Sequence, residues 1–149
     1  MEAVALLPQA WRNTAWAMSV QKVELLREAT DAFNRRDGAA FDALLARGAE
    51  IVPVRAALEG TVYRGNDAGS QYCAAVDETW ESLHWEVEEV RDVGDAALAL
   101  GHIHGRGQDS GAAIDTSAAW VAHFHGGLIA RFRTYTDRGE ALEAAGLSE

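Results

Sequence analysis

Three runs of alternating apolar and polar residues decide the fold: "AALALGHIHG" (Ala96–Gly105), "AAIDTSAAWVAHFH" (Ala112–His125) and "LIARFRTYTD" (Leu128–Asp137). Alternation with a period of two is typical of β-strands that are buried on one face. The loop "RGQDSG" separates the first two runs, and Gly126-Gly127 separates the last two. We therefore predict three consecutive antiparallel strands, followed by a short helix over "DRGEALEAAG".

A fourth strand is predicted directly before these three. Leu83–Val93 alternates in the same way until its pattern slips near Glu88–Val90, which predicts a β-bulge. Gly94-Asp95 then provides the two-residue turn of a hairpin. The C-terminal half of the chain is therefore a four-stranded meander.

The N-terminal half favours helices. We predict a helix over Ser19–Arg36 with Ser19 as its N-cap, and a short second helix through Phe41, Leu44 and Leu45 that ends at Gly48. A brief strand follows at Ile51–Val54, which Pro53 places at an edge or a bend. An extended piece around Val62 and Tyr63 then leads to a third helix over Ala68–Trp80, capped by Asn66. Helices first and a meander last predict an α+β domain. Its curved, barrel-like sheet, mixed or antiparallel, packs on three N-terminal helices, and the face toward the helices is filled by side chains or by a ligand in a central cavity.

Length and composition indicate one globular domain. The chain has 149 residues, of which 48% are hydrophobic and 24% charged. We assign residues 19–149 to the domain and residues 1–18 to an N-terminal extension. For the extension we leave open a loosely packed or swapped arm, a lid over a pocket, or a start-site artefact.

The net charge and the cysteine content limit which partners and which cellular location we expect for this protein. A net charge of −10 argues against binding to nucleic acid. No apolar run approaches the roughly 20 residues that a membrane span needs. Cys73 is the single cysteine, which excludes an intramolecular disulfide, and we expect it to be a buried, inert thiol. We recognise no signal peptide, so the cytoplasm is the expected location.

Two histidines carry the strongest hint of chemistry. His102 and His104 lie two apart on a predicted strand, so their side chains project to one face together with Leu98 and Leu100. Such a face would suit a pocket floor with a titratable mouth, and histidine transfers protons near neutral pH. The alternative is a solvent-facing pair at the end of the strand. We predict that both imidazoles line the main cavity, and we expect no metal, since a third ligand is not evident.

Aromatic residues are candidates for the wall of the cavity. Trp120 and Phe124 share one face of their strand, opposite to His123 and His125, which we expect in solvent beside the hairpin tip. Large aromatic side chains suit a hydrophobic small-molecule pocket, although plain core is their commoner role. The candidate substrate-binding residues are Tyr63, Trp80, Trp85, Arg106, Trp120, Phe124 and Phe132.

Asp137 has two interpretations. With Glu140 three residues later it forms the pattern of a helix N-cap and its reciprocal carboxylate. Alternatively, it is a general acid or base at the mouth of the cavity. Strand parity counts against the second interpretation, because Thr134 and Thr136 alternate with Asp137 and are better suited to point inward. The candidate catalytic residues are therefore His102, His104 and Asp137.

Four stretches in sequence order resemble the SnoaL-like proteins of the nuclear-transport-factor-like and ketosteroid-isomerase-like superfamily. They are "ATDAFNRRDGAAFDALLA", "ALEGTVYRG", "VGDAALALGHIHGRGQDSG" and "GGLIARFRTYTDRGEALEAAGL", and the resemblance covers roughly residues 19–147. It implies a cone-like α+β fold, a deep pocket between sheet and helices, and frequent homodimers. It does not fix a reaction, because the superfamily includes cyclases, isomerases, epoxide hydrolases, dehydratases and inert binding domains.

The catalytic residues of these relatives carry over incompletely. The acid that ketosteroid isomerases place before a proline corresponds here to Val52, and their oxyanion-binding residues fall near Ala29 and Ala119. Steroid isomerase chemistry is therefore not expected. The Arg-x-Asp of limonene-type epoxide hydrolases falls on His102-Ile103-His104. The late Asp of SnoaL-type polyketide cyclases has its nearest match in Asp137.

Two functions follow from this sequence. The first is a cofactor-independent enzyme of secondary metabolism that cyclises, isomerises or opens an epoxide in a small apolar, oxygenated substrate by acid–base catalysis. The alternative is a small-ligand-binding or dimerisation domain without turnover. In both cases we expect a small molecule and a second copy of the chain as partners, with neither nucleic acid nor membrane.

Overall fold

The computed structural model describes residues 17–53 and 61–146. Within these residues the elements are α1 (Ala17–Asn34), α2 (Gly38–Asp42), β1 (Leu45–Val52), β2 (Tyr63–Arg64), α3 (Ala68–Thr79), β3 (Trp80–Val93), β4 (Ala96–Gly107), β5 (Ala113–His125), β6 (Leu128–Tyr135) and α4 (Arg138–Ala144). The predicted α+β class and the four-stranded meander are confirmed. The predicted N-terminal extension lies outside the described residues, apart from Ala17 and Met18, which begin α1.

The six strands form one curved, unclosed sheet in the order β2-β1-β6-β5-β4-β3. β1 and β6 are parallel, and the other neighbouring pairs are antiparallel. The bulge predicted in β3 is confirmed, since the register with β4 shifts between Val87 and Glu89. Gly101 faces this bulge, and a Cβ atom there would lie 1.8 Å from the carbonyl oxygen of Glu86. Glycine is therefore needed at this position for the two backbones to approach.

Several predicted boundaries are wrong around β1. Leu45 does not belong to the second helix, because it already pairs with Ile129 of β6. Gly48 does not end a helix either. It lies inside β1 with a φ of 72°, at the irregularity where the register shifts between Leu45 and Glu50. Since β1 has β2 on one side and β6 on the other, it is an internal strand rather than an edge.

The predicted N-caps of two helices are also wrong. Ser19 lies inside α1 rather than at its start. The N-cap of α3 is Asp67 instead of Asn66, and its side chain makes no capping hydrogen bond.

Two side chains fasten α1 and the turn after it to the edge strand β3. The Asn34 amide donates to the carbonyl oxygen of Trp85 and accepts from the N–H of the same residue, both at 2.8 Å. The Arg36 guanidinium donates to the carbonyl oxygens of Leu83 at 2.6 Å and of Phe33 at 2.5 Å. The bonds to Trp85 and Leu83 satisfy backbone groups that an edge strand would otherwise leave open, and those to Trp85 hold this residue against the helices.

Side chains are buried on both faces of the sheet. The inner face is the side that packs against α1, α2 and α3, and it carries the main core. The outer face is the opposite side, and α4 covers one part of it. The cluster under α4 consists of Ala96, Leu98, Leu100, Ala119, Val121, Ala141 and Ala145. No helix in the described part of the chain is long and apolar enough to span a membrane.

Candidate ligand-binding cavity

A cavity of about 120 Å³ lies between the inner face and α3. Its described lining residues are Pro53, Thr61, Tyr63, Tyr72, Ala75, Val76, Thr79, Trp80, Leu83, Trp85, Ile103, Ile114, Thr134 and Thr136. No Asp, Glu, His, Lys or Arg is found among these described lining residues. An engineered apolar cavity of about 150 Å³ holds a benzene molecule, so this space suits a single ring or one end of a larger compound.

Trp85 forms the rigid centre of the wall. It is 2% exposed, and its ring stacks on Phe33 of α1 with 3.5 Å between ring centroids and 7° between planes. Trp120 and Phe132 contact it from β5 and β6, with centroids 5.4 Å and 5.8 Å away. Contacts from α1, β5 and β6 therefore fix the orientation of the indole before any ligand arrives.

Two phenols line the cavity, Tyr63 from β2 and Tyr72 from α3. The rings of Tyr63 and Tyr72 have their centroids 5.4 Å apart. Burial raises the pKa of the Tyr72 hydroxyl far above its usual range, and Tyr63 and Cys73 add to the shift. Tyr72 therefore stays protonated at physiological pH and is a hydrogen-bond donor rather than a base. Burial likewise raises the pKa of the Cys73 thiol to about 11, which makes this side chain an inert core residue as predicted.

Two buried polar groups in and beside the cavity have no hydrogen-bond partner within the part of the chain that the structure describes. They are Trp120 Nε1 and Thr134 Oγ1. Among the described residues Arg36 Nε shares this condition, but it lies 3.3 Å from the Asp77 carboxylate. Trp120 and Thr134 are direct partners across β5 and β6, so the two side chains project from the same face of the sheet.

His102 and His104 lie on the outer face, and the prediction that they line the cavity is wrong. They do share a face with Leu98 and Leu100, as strand parity requires. That face is the one buried by α4, whereas Ile103 points into the cavity. Strand alternation correctly predicts that these four side chains share one face. However, Leu98 and Leu100 pack against α4 and do not face a cavity.

Carboxylates surround the two histidines on the outer face. His104 Nε2 lies 3.1 Å from Glu86 Oε1, and His104 Nδ1 lies 3.2 Å from Asp115 Oδ1. His102 Nδ1 lies 3.4 Å from Glu88 Oε1. The donor atoms of Glu86, Glu88 and His102 lie within 4.8 Å of one another, so these side chains could hold a divalent cation. All five side chains are partly or largely exposed.

Asp137 caps α4 and does not line the cavity. Its carboxylate accepts a hydrogen bond from the backbone N–H of Glu140 at 3.0 Å. The interpretation as an N-cap is thus confirmed, and so is the parity argument, because Thr134 and Thr136 line the cavity.

The predicted substrate-binding residues divide into three groups. Tyr63, Trp80 and Trp85 line the cavity. Trp120 and Phe132 are fully buried beside it. Phe124 and Arg106 form the third group, which does not line the cavity. Phe124 lines a separate groove between α1 and two hairpin turns, and Arg106 donates to the carbonyl oxygen of Gly111 at 2.6 Å.

Several residues that line the cavity are not among the site residues predicted from the sequence. Tyr72 and Val76 lie on the inward face of α3, so helical periodicity could have found them. Ile103 lies between the two histidines, and the same alternation that grouped them placed it on the opposite face. Thr134 was expected to point inward, but a threonine in a strand carries no signal of a binding role.

An open curved sheet that folds over three helices around an apolar cavity defines the class of NTF2-like α+β proteins. The SnoaL-like domain family matches residues 26–132, and the chain belongs to this family. None of the curated proteins matches the chain.

Solved structures agree with this class. An NTF2-like protein of unknown function from Burkholderia pseudomallei has a TM-score of 0.68 at 20% identity, over 83% of this chain and 95% of the other. A hypothetical protein with a ketosteroid-isomerase-like fold from Catenulispora acidiphila, in complex with trimethylamine, has a TM-score of 0.67 at 18% identity, over 83% of this chain and 93% of the other. A putative SnoaL-like polyketide cyclase from Jannaschia sp. CCS1 has a TM-score of 0.65 at 20% identity, over 86% and 92%. At these identities the likeness concerns the fold.

Proposed function

We propose that this protein binds a small, mainly apolar molecule in the cavity between the inner face and α3. One observation carries the proposal: the described lining residues are aromatic, aliphatic or hydroxyl-bearing, and none of them is charged at neutral pH. Apolar walls with few polar groups are the usual make-up of small-molecule sites. Because Trp85 is held rigidly by its neighbours, little conformational entropy is lost when a ligand packs on it.

Acetophenone is a suitable probe, since it combines one aromatic ring with one carbonyl oxygen. We expect saturable one-to-one binding in a ligand-observed NMR titration, with a dissociation constant of roughly 0.1–1 mM for a ligand of this size. Failure of the wild-type protein to bind acetophenone would refute the proposal.

Two neighbouring alanines of α3 provide a matched pair of variants. Ala75 lines the cavity, whereas Ala74 is exposed and does not line it. Ala75→Phe should fill the space and abolish binding, and Ala74→Phe should bind as the wild type does. Circular dichroism verifies that both variants are folded. Equal binding by the two variants would place the ligand elsewhere.

A chemical step on the bound molecule is the second candidate function, and Tyr72 is the residue that favours it. Its protonated hydroxyl could donate to a carbonyl oxygen and stabilise an enolate-like transition state, as isomerisation or cyclisation requires. Such a step also needs a proton acceptor, which the described lining residues do not supply at neutral pH. For this reason we regard binding as the better supported of the two functions.

Deuterium exchange at the methyl group of acetophenone in D₂O distinguishes the two candidates. Catalysed exchange that is lost in Tyr72→Phe supports turnover. If acetophenone binds but its methyl protons exchange no faster than in buffer alone, the result supports a binding domain without turnover.

A further inference from the structure

A group of metal-ligating side chains on the outer face has no part in the proposed binding function. It consists of Glu86 and Glu88 of β3 and His102 of β4, whose donor atoms lie within 4.8 Å of one another. Glu86 is the direct partner of His102 across the two strands. The neighbouring strand therefore supplies carboxylate ligands that the pattern of β4 alone does not make evident.

The β-bulge in β3 explains why two glutamates reach the same imidazole. Val87 and Val90 both pack against the main core, although residues three apart in a regular strand point to opposite faces. The register shift between Val87 and Glu89 resolves this conflict by adding one residue, Glu88, to β3. The carboxylate of this extra residue lies 3.4 Å from His102 Nδ1.

The charges of Glu86 and Glu88 are not balanced by a lysine or an arginine. The next residue, Glu89, pairs with Arg91 at 2.5 Å. Within residues 17–53 and 61–146, the ion-pair partners of Glu86 and Glu88 are histidines alone. In a protein with a net charge of −10, two adjacent carboxylates of this kind attract a cation.

The types of donor atom and their spacing indicate which cation fits. His102 Nδ1 and Glu88 Oε1 are 3.4 Å apart, which is longer than an ordinary hydrogen bond. Two ligand atoms of a tetrahedral Zn²⁺ ion are about 3.3–3.4 Å apart, because each lies about 2.0–2.1 Å from the metal. Rotation of the exposed glutamate side chains closes the remaining distances. An imidazole nitrogen with carboxylate oxygens suits Zn²⁺, whereas Mg²⁺ and Ca²⁺ prefer oxygen ligands alone.

His104 is placed to orient one of these ligands. Its Nε2 lies 3.1 Å from Glu86 Oε1, and its Nδ1 lies 3.2 Å from Asp115 Oδ1. A carboxylate has two oxygens, so Glu86 can contact His104 through Oε1 and bind a metal through Oε2. Partners of this kind around the ligands of a metal fix their orientation and raise the affinity.

We propose that Glu86, Glu88 and His102 bind one divalent metal ion of the zinc type, with water completing its coordination, and that His104 positions Glu86. The bound ion would join the edge strand β3 to β4 beside the bulge. This site lies on the opposite face of the sheet from the cavity, so the proposal is independent of the proposed function.

The test is calorimetric titration of Zn²⁺ into metal-free protein that carries no histidine tag. We expect saturable one-to-one binding by the wild type and no binding of Mg²⁺ at the same concentrations. His102→Gln and Glu88→Gln should each weaken Zn²⁺ binding at least about tenfold, since even residues that only orient metal ligands contribute that much. His123→Gln is the matched control, because it removes a strand histidine elsewhere and should bind Zn²⁺ as the wild type does.

The positioning role of His104 is tested by two variants. His104→Ala should weaken Zn²⁺ binding about tenfold. His104→Gln keeps an N–H that can donate to Glu86 and should recover most of this loss. Circular dichroism verifies that all variants are folded.

Three results would overturn the proposal. They are absence of Zn²⁺ binding by the wild type, equal binding by His102→Gln, and equal binding of Mg²⁺. If Glu88→Gln had no effect while His104→Gln lost as much as His102→Gln, the two histidines would chelate the ion by themselves, and the ligand set proposed here would be wrong. None of these results bears on binding in the cavity.

Discussion

The two faces of β4 differ most at the C-terminal end of the strand. Ala97, Ala99 and Ile103 point to the inner face, where the helices and the cavity enclose them. His102 and His104 alternate with Ile103 and point to the outer face, where Glu86, Glu88 and Asp115 approach them. The inner face is therefore apolar and enclosed, and the outer face at this end of the strand is polar and open.

This difference separates His102 and His104 from the cavity that could bind a small molecule. Enzymes that transfer protons need both in one place, because a general acid or base must reach the reacting atom. In this chain the sheet keeps the imidazoles on one side and the cavity on the other. The contrast makes binding the better supported function, and the substitutions below test it by their effects on stability and binding.

The largest effect is expected on the inner face, from Trp85→Ala. The side chain is buried and stacked on Phe33 with a centroid distance of 3.5 Å, so truncation removes contacts with several elements at once. The free energy of unfolding should fall by about 3–5 kcal/mol, measured by urea denaturation. Trp85→Phe, which keeps an aromatic ring, should lose clearly less. A loss of below about 1 kcal/mol for Trp85→Ala would mean that the aromatic wall is not part of the core.

A smaller but substantial effect is expected from Leu98→Ala, on the part of the outer face that α4 covers. Leu98 is 0% exposed and belongs to the cluster with Ala141 and Ala145. Truncation should destabilise the fold by about 2–4 kcal/mol in the same urea experiment. Acetophenone binding to the folded variant should not change, because Leu98 faces away from the cavity. A variant that stayed as stable as the wild type would show that α4 does not pack where the structure has it.

Asp137→Ala should have an effect of about 1 kcal/mol, because it removes the N-cap of α4. Asp137→Asn retains an oxygen that accepts from the Glu140 N–H and should recover most of this loss. Both variants should bind acetophenone as the wild type does. If binding fell in Asp137→Asn while stability was kept, the carboxylate would have a role at the cavity in addition to the cap.

Features that depend on residues close together in the sequence could be predicted, whereas features that depend on contacts between distant residues could not. The alternation in Ala96–Gly105 and the slip near Glu88–Val90 are local signals, and each led to the observed strand or bulge. The boundary at Leu45 was missed because its pairing with Ile129 of β6 is a contact far along the chain. Long-range pairing overrides local helix preference at such positions.

The site was less predictable than the fold for a related reason. Parity grouped His102 with His104 and Leu98 with Leu100, but parity cannot say which of two apolar faces meets a cavity. That choice depends on α4, which covers Leu98 and Leu100 from the C-terminal end of the chain. The position of Trp120 opposite Thr134 results from the register of β5 on β6, which no sequence pattern reveals.

The smallest effect is expected from the double substitution His102→Gln and His104→Gln, and it is the sharpest test of the contrast between the two faces. Both side chains are partly exposed and their carboxylate partners are more exposed still, so such pairs contribute little. The free energy of unfolding should change by at most about 0.5 kcal/mol. Acetophenone binding should be unchanged, because Ile103, rather than either histidine, reaches the cavity. His123→Gln with His125→Gln is the matched control for removing two strand histidines elsewhere. If only the His102 and His104 variant lost binding or proton exchange, the working site would lie on the outer face, and the cavity would have to be regarded as core.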